Sequence, residues 1–236
     1  MISTPVMLHI ETSTEVCSVA LSRGMQCIAC KENTEEKNHA ALLTFFIETL
    51  LDEQNLRPSQ LDAVAVSVGP GSYTGLRIGM STAKGLCYGA NIPLITVPTL
   101  HAIADGFVRK HRHVAADALI CPMIDARRME VYTALFDAKG NIVEETAAVV
   151  ITKDTFGQYL ADRKVYFIGN GAFKCKELLS SPNACFPESF FPSAEYLLPD
   201  AMKTFRQQAF ADVAYAEPFY LKDFIAGKPK QFMEYG

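Results

Sequence analysis

Ser67-Val68-Gly69-Pro70-Gly71-Ser72-Tyr73-Thr74-Gly75-Leu76-Arg77-Ile78-Gly79, continued by Ser81-Thr82-Ala83-Lys84-Gly85-Leu86, is the most informative stretch of the chain. It follows a short apolar run of strand type, 63–68, and opens a helix expected at about 72–89. Glycines at 69, 71 and 75 free backbone N–H groups where a strand ends and a helix starts. A helix N-terminus carries partial positive charge and suits an anion. The spacing is neither a P-loop, which needs G-x-x-x-x-G-K-[ST], nor a dinucleotide-binding G-x-G-x-x-G. Gly69, Gly71 and Ser72 therefore read either as an anion or nucleotide contact or as a structural turn. Gly79 and Gly85 each cost about 1 kcal/mol inside a helix. Their presence predicts the close approach of another backbone.

Upstream, residues 7–10, 16–21 and 25–30 read as three antiparallel strands, with Arg23-Gly24 as the turn between the last two. A helix is expected over about 38–54, with Leu43, Phe46, Ile47, Leu50 and Leu51 at helical spacing and Leu42 and Phe45 widening the stripe. It is apolar over more than half its circumference, so it needs cover on two sides or a partner on one. Downstream come a strand at 93–97 and a third helix, capped by Thr99 and running to about Val108. The second half repeats the order: strands at 118–123, 129–136 and 142–151, a helix at 153–160, a strand at 165–168, the turn Gly169-Asn170-Gly171, and helices at 173–179 and 194–207. Strand-strand-strand-helix-strand thus occurs twice. The expected fold is α/β, with duplicated β-β-β-α-β-α lobes over 1–105 and 106–236. That is the order of the actin-like ATPase superfamily (ASKHA, ribonuclease H-like).

Composition narrows the function. The 236 residues are 49% apolar and 20% charged, as in an ordinary globular chain able to bury a core. A net charge of −4 offers no broad basic face for gripping nucleic acid unaided. The densest basic run, Arg109-Lys110-His111-Arg112-His113, reads as a solvated linker or helix end, the alternative being a contact with RNA phosphates. Neither an export signal nor an 18-residue apolar run is present, so the expectation is a cytoplasmic chain without a membrane span. The cysteines number seven, an odd count that fits free thiols. Cys27 and Cys30 are spaced C-x-x-C within a strand, where residues three apart point to opposite faces. A shared metal or a disulfide is not expected there.

The stretch from Ser67 to Leu86 closely resembles the hallmark of the TsaB (YeaZ) family. Further segments match in order: Ile10-Glu11-Thr12-Ser13-Thr14, Cys17-Ser18-Val19-Ala20-Leu21, His39, Ile92-Pro93-Leu94, Asp125-Ala126-Arg127, Glu130-Val131-Tyr132 and Pro218-Phe219-Tyr220-Leu221. The resemblance implies a subunit of the bacterial system that installs threonylcarbamoyladenosine beside the tRNA anticodon. It implies pairing with the catalytic subunit TsaD through the first two helices, with the ATPase TsaE joining, and self-association through the same face. His39, Leu42, Leu43, Phe46, Leu50, Tyr73, Thr74, Arg77, Ile78 and Lys84 are the expected interface. Transfer RNA is expected only through the complex, with ATP or ADP and metal on the partner subunits and no cofactor required here.

Two departures argue against catalysis by this chain. TsaD-like catalysts hold a metal with two histidines four apart, and the corresponding positions here are Thr99 and Ile103. His101 lies nearby with no second histidine at helical spacing. The superfamily's first phosphate loop, D-x-G-[ST], reads Glu11-Thr12-Ser13-Thr14 here, and the missing glycine would crowd a phosphate. Asp125, Arg127 and Arg128 read either as a salt-bridging set or as contacts for a nucleotide or RNA phosphate. The competing reading is a stand-alone ATPase or small-molecule kinase. A third, a metallopeptidase, lacks its ligands.

Overall fold

The computed structural model describes residues 4–34, 39–188 and 190–222. In the first lobe, β1 (Val6–Glu11), β2 (Cys17–Arg23) and β3 (Gln26–Asn33) form an antiparallel meander. Then come α1 (His39–Glu53), β4 (Ala63–Gly69), α2 (Tyr73–Ala90), β5 (Leu94–Pro98) and α3 (Thr99–Lys110). The sheet order is β3-β2-β1-β4-β5, with β4 parallel to both neighbours. Expected position 38, the start of the first helix, lies outside the described residues.

The second lobe contains β6 (Leu119–Asp125), β7 (Glu130–Asp137), β8 (Ile142–Val150), α4 (Gly157–Leu160), β9 (Val165–Ile168) and β10 (Ala184–Cys185). Its sheet order, read from the far edge, is β8-β7-β6-β9-β10. Strand for strand this is the order of the first lobe, so the duplicated actin-like architecture is present. The boundary expected between 105 and 106 falls inside α3. That helix buries Ala102 against the first sheet, and Leu100, Ile103 and Phe107 against Ile120, Ala134 and Phe136 of the second. One helix therefore serves two cores.

Alternation decides which side of each strand is apolar to which partner. Leu8 and Ile10 of β1 face α1 and α2, while Met7 faces the other way. That second face is covered by a 3-10 turn at Ala194–Leu197 and by α5 (Leu198–Gln207). The chain thus returns from the second lobe to the first before it ends.

Several local expectations are corrected. The helix expected at 153–160 is a single turn, Gly157–Leu160, because Phe156 before it is left-handed at φ 61°. The helix expected at 173–179 is a 3-10 turn, Phe173–Cys175. Thr99 does not cap α3; its hydroxyl accepts from Gly69 N instead, at 3.0 Å. Cys27 and Cys30 lie on one face, not two. The ladder pairs Cys30 with Ala20 and Cys27 with Ser22, and a bulge at Ile28 between them shifts the alternation by one residue. Burial pushes both thiols up, Cys30 to about 12, so the pair lacks the thiolate character of a redox motif.

The glycines of α2 divide into two groups. A Cβ at Gly75 would overlap the Thr12 carbonyl oxygen, and one at Gly79 the Thr12 hydroxyl. At Gly85 and Gly89 a Cβ would meet nothing within 4 Å, so no backbone approaches there. Gly75→Ala is therefore expected to cost about 2–3 kcal/mol, a fall of roughly 5–10 °C in thermal midpoint. Gly85→Ala is expected to raise stability by up to about 1 kcal/mol. Thermal unfolding of the two variants beside the parent checks both signs.

Candidate functional site

The glycine loop between β4 and α2 donates its amides inward. Ser72 N donates to Ser13 O at 2.6 Å, Gly75 N to Ser72 Oγ at 3.3 Å, and Gly69 N to Thr99 Oγ1. Thr12 Oγ1 donates in turn to Gly75 O at 2.8 Å. A Cβ at Gly71 would overlap Ser13 O. The turn after β1 is thus packed directly onto the start of α2. Three of the loop's N–H groups are thus used within the chain, and the Thr12 and Ser13 backbone packs directly against Gly71 and Gly75.

Glu11 is buried beneath this contact, and Ser13 N donates to its Oε1 at 2.6 Å. Burial raises its carboxyl above the ordinary range, opposed by hydrogen bonds from neighbouring serines and threonine. It acts as an internal acceptor tying its own turn. Thr99 and Ile103 are fully buried, Thr99 on Gly69 and Ile103 in the inter-lobe core. No group of three His, Cys, Asp or Glu side chains suited to a metal occurs among the described residues. A cavity of about 420 Å³ is lined by Glu32, Lys110, His111, Phe190 and Tyr196, with no residue of the glycine loop.

The second lobe closes on the first beside this contact. Asn170 Oδ1 accepts from Asp125 N at 3.0 Å, and its Nδ2 donates to Glu15 Oε2 at 2.6 Å. Asp125 accepts from Arg127 N at 2.8 Å and from Lys174 Nζ at 2.5 Å. The Arg127 side chain is exposed at the tip of the turn.

The outer sides of α1 and α2 are different in kind. Leu43, Phe46 and Leu50 belong to the core beneath α1, so they shape this face from within rather than form its outer surface. The outward ring of α1 is Phe45, which is 60% exposed. Leu42 and Ile78 are partly buried at the margin, and Thr74 is exposed. On α2, Ser81, Gly85, Tyr88 and Gly89 face solvent, Tyr88 at 86% exposure. His39 opens α1 with its ring against Glu15 O at 3.1 Å.

Tyr73, Arg77 and Lys84 line one flank of α2, and the chain's own C-terminal segment occupies it. Lys84 Nζ donates to the carbonyls of Ala214 and Ala216 at 3.0 and 3.1 Å. Phe219 N donates to Val68 O at 2.7 Å, Tyr220 stacks on Tyr73 at 5.0 Å, and the Arg77 guanidinium sits 4.8 Å over Tyr73. The Phe219 carbonyl also lies 2.7 Å from where a Cβ of Gly69 would be. The motif Pro218-Phe219-Tyr220-Leu221 is legible in the sequence, but its docking on α2 is not.

The family profile described as TsaD: tRNA N6-adenosine threonylcarbamoyltransferase matches residues 32–230. The tRNA threonylcarbamoyladenosine biosynthesis protein TsaB of Escherichia coli (strain K12) is 32% identical over 94% of this chain and 96% of its own. This chain belongs to the TsaB family. The protein of the same description from Bacillus subtilis (strain 168) is 34% identical over 73% of this chain and 74% of its own. A Pseudomonas aeruginosa crystal structure, of an uncharacterized protein with similarity to peptidase YeaZ, superposes with a TM-score of 0.79 at 28% identity, over 92% of this chain and all of that one. Component A of the Acidaminococcus fermentans (R)-2-hydroxyglutaryl-CoA dehydratase shares the fold alone, at a TM-score of 0.51 and 8% identity.

His101, which has no second histidine at helical spacing, joins the lobes. His101 Nδ1 lies 2.5 Å from Asp200 Oδ2 of α5, and Nε2 lies 3.3 Å from the Gly140 carbonyl in the turn after β7. Both partners only accept, so the two contacts together require both ring protons. Asp200, opposed by burial, raises the imidazole above its ordinary value. A raised histidine contributes its stability in full below the ordinary value, about 6.5, and loses it as pH climbs through the higher folded value. Thermal midpoints taken from pH 6 upward should therefore fall more in the parent than in His101→Gln. Parallel curves would remove the histidine from this role.

Proposed function

We propose that this chain is a non-catalytic partner subunit in threonylcarbamoyladenosine formation on tRNA. It pairs with a TsaD-type transferase through the outer face of α1 and α2, and a TsaE-type ATPase joins the pair. The names of its relatives carry the pathway. One observation supports the division of labour. Three amides of the glycine loop, those of Gly69, Ser72 and Gly75, are donated to Thr99, Ser13 and Ser72, while the adjoining helix pair presents large exposed rings. Exposed aromatic residues are common anchors of protein interfaces. The chain itself requires no nucleotide or metal; those belong to the partners. In their absence, the same face accounts for self-association.

The refined interface comprises Phe45, Thr74, Ser81, Gly85 and Tyr88, with Leu42 and Ile78 at its margin. Leu43, Phe46 and Leu50 hold α1 in place from below. Tyr73, Arg77 and Lys84 hold the C-terminal segment against α2. Phe45→Asp is expected to leave the thermal midpoint within about 2 °C of the parent, since it is an exposed-site change. It should weaken association with the cognate TsaD-type protein at least about tenfold, by loss of an interface aromatic anchor. Phe46→Asp, by contrast, should fail to fold, because it buries a charge. Calorimetric titration of the folded variant against the partner decides the matter, and unchanged affinity for Phe45→Asp would exclude this face.

The purified chain alone should hydrolyse no ATP above a blank. Saturable turnover that copurifies with the chain and is lost with Glu11→Gln would instead favour a stand-alone ATPase.

A further inference from the structure

The turn between β6 and β7 carries a feature that pairing does not explain. Two basic residues near it are neutralised: Lys174 pairs with Asp125, and Lys222 with Glu130. The two at its tip are not. Among the described residues, the guanidiniums of Arg127 and Arg128 have no ion-pair partner. Both are exposed. Four cations against two carboxylates leave a local positive excess in a chain whose net charge is −4.

The backbone holds these two arginines in an unusual way. Their φ angles are 71° and 48°, left-handed values that glycine or asparagine adopts at less cost. Arg127 N is bound to Asp125 Oδ1, Glu130 N donates to Arg127 O at 3.2 Å, and Ala126 N to Glu130 O at 3.1 Å. Lys174 Nζ then clamps the carbonyls of Arg128 and Glu130, each at 2.7 Å. The residue before this clamp, Phe173, is 81% exposed. A rigid turn therefore displays two free guanidiniums, and an open aromatic ring flanks the lysine that braces it.

Guanidinium groups match phosphate in geometry as well as charge. Guanidiniums together with exposed rings are the means by which unpaired RNA bases are stacked and their backbone held, and Phe173 adjoins Lys174 in the chain. We propose that this turn is an RNA contact, with Arg127 and Arg128 on neighbouring phosphates and Phe173 on an unpaired base of the tRNA brought to the complex. The proposal rests on the tRNA-modification reading given above. An acidic protein surface would satisfy the arginines but would give the ring no such role.

The test uses the full chain in complex with its cognate TsaD-type partner, and an unmodified tRNA transcript as probe. The double variant Arg127→Asn, Arg128→Gly relaxes the left-handed backbone, so its thermal stability should equal or exceed that of the parent. Its complex should form with unchanged partner affinity and bind the transcript about tenfold more weakly. Loss of two phosphate contacts should also reduce the slope of log K against log salt by about 1.4. Arg127→Lys with Arg128→Lys should restore most of that slope. Phe173→Ala should weaken transcript binding about tenfold with the slope unchanged. If the complex forms but all variants bind the transcript as the parent does, the RNA contact is wrong. If the double variant loses the partner instead, the turn is a protein contact and the RNA contact is likewise overturned. If the unaltered chain forms no complex at all, it is the pairing reading that fails.

Discussion

The contact between the Ser13 carbonyl and the amide of Ser72 is the constraint on which the rest depends. It forms only because Gly71 and Gly75 have no Cβ to hold the two backbones apart. The same contact brings Thr12 onto Gly75 and Gly79, which fixes α2 against the sheet over two turns. It places Glu11 beneath the contact as an acceptor. The loop packs onto its own chain. Glycine's small size is used for packing rather than for reaching a phosphate.

With α2 held on its inner side, its other sides become available for different uses. One flank, through Tyr73, Arg77 and Lys84, receives the C-terminal segment. The outward side, with Gly85 and Gly89 open and Tyr88 exposed, faces solvent, as does Phe45 of α1. The two lobes are joined by α3, whose residues enter both cores, and by the side chains of His101 and Asn170. Beside the glycine loop, Asn170 of the second lobe reaches Glu15 of the first.

Much of the fold was legible because it rests on periodicity. The first nine strands and the first three helices follow patterns of two and of three to four residues, and their order exposed the duplication; the two-residue β10 is too short to carry one. Failures came where one local feature outweighed the pattern. A left-handed Phe156 cut a helix to a single turn. One bulge at Ile28 moved Cys27 to the face of Cys30. On α1 the error was of another kind. The apolar stripe is wider than the buried face, and composition alone does not say which of Phe45 and Phe46 is the outer one.

The sequence by itself determined the fold class, the family and the absence of a histidine pair for metal, because these are properties of residue type and spacing. Only the tertiary structure decided what the glycine loop holds, which ring of α1 is exposed, and where the C-terminal segment lies. Each of those depends on which atoms from distant parts of the chain arrive within about 3 Å, the reach of a hydrogen bond. Ser13 lies far from Ser72 along the chain, and Lys84 farther still from Ala214. Patterns of two and of three to four residues carry no record of such meetings.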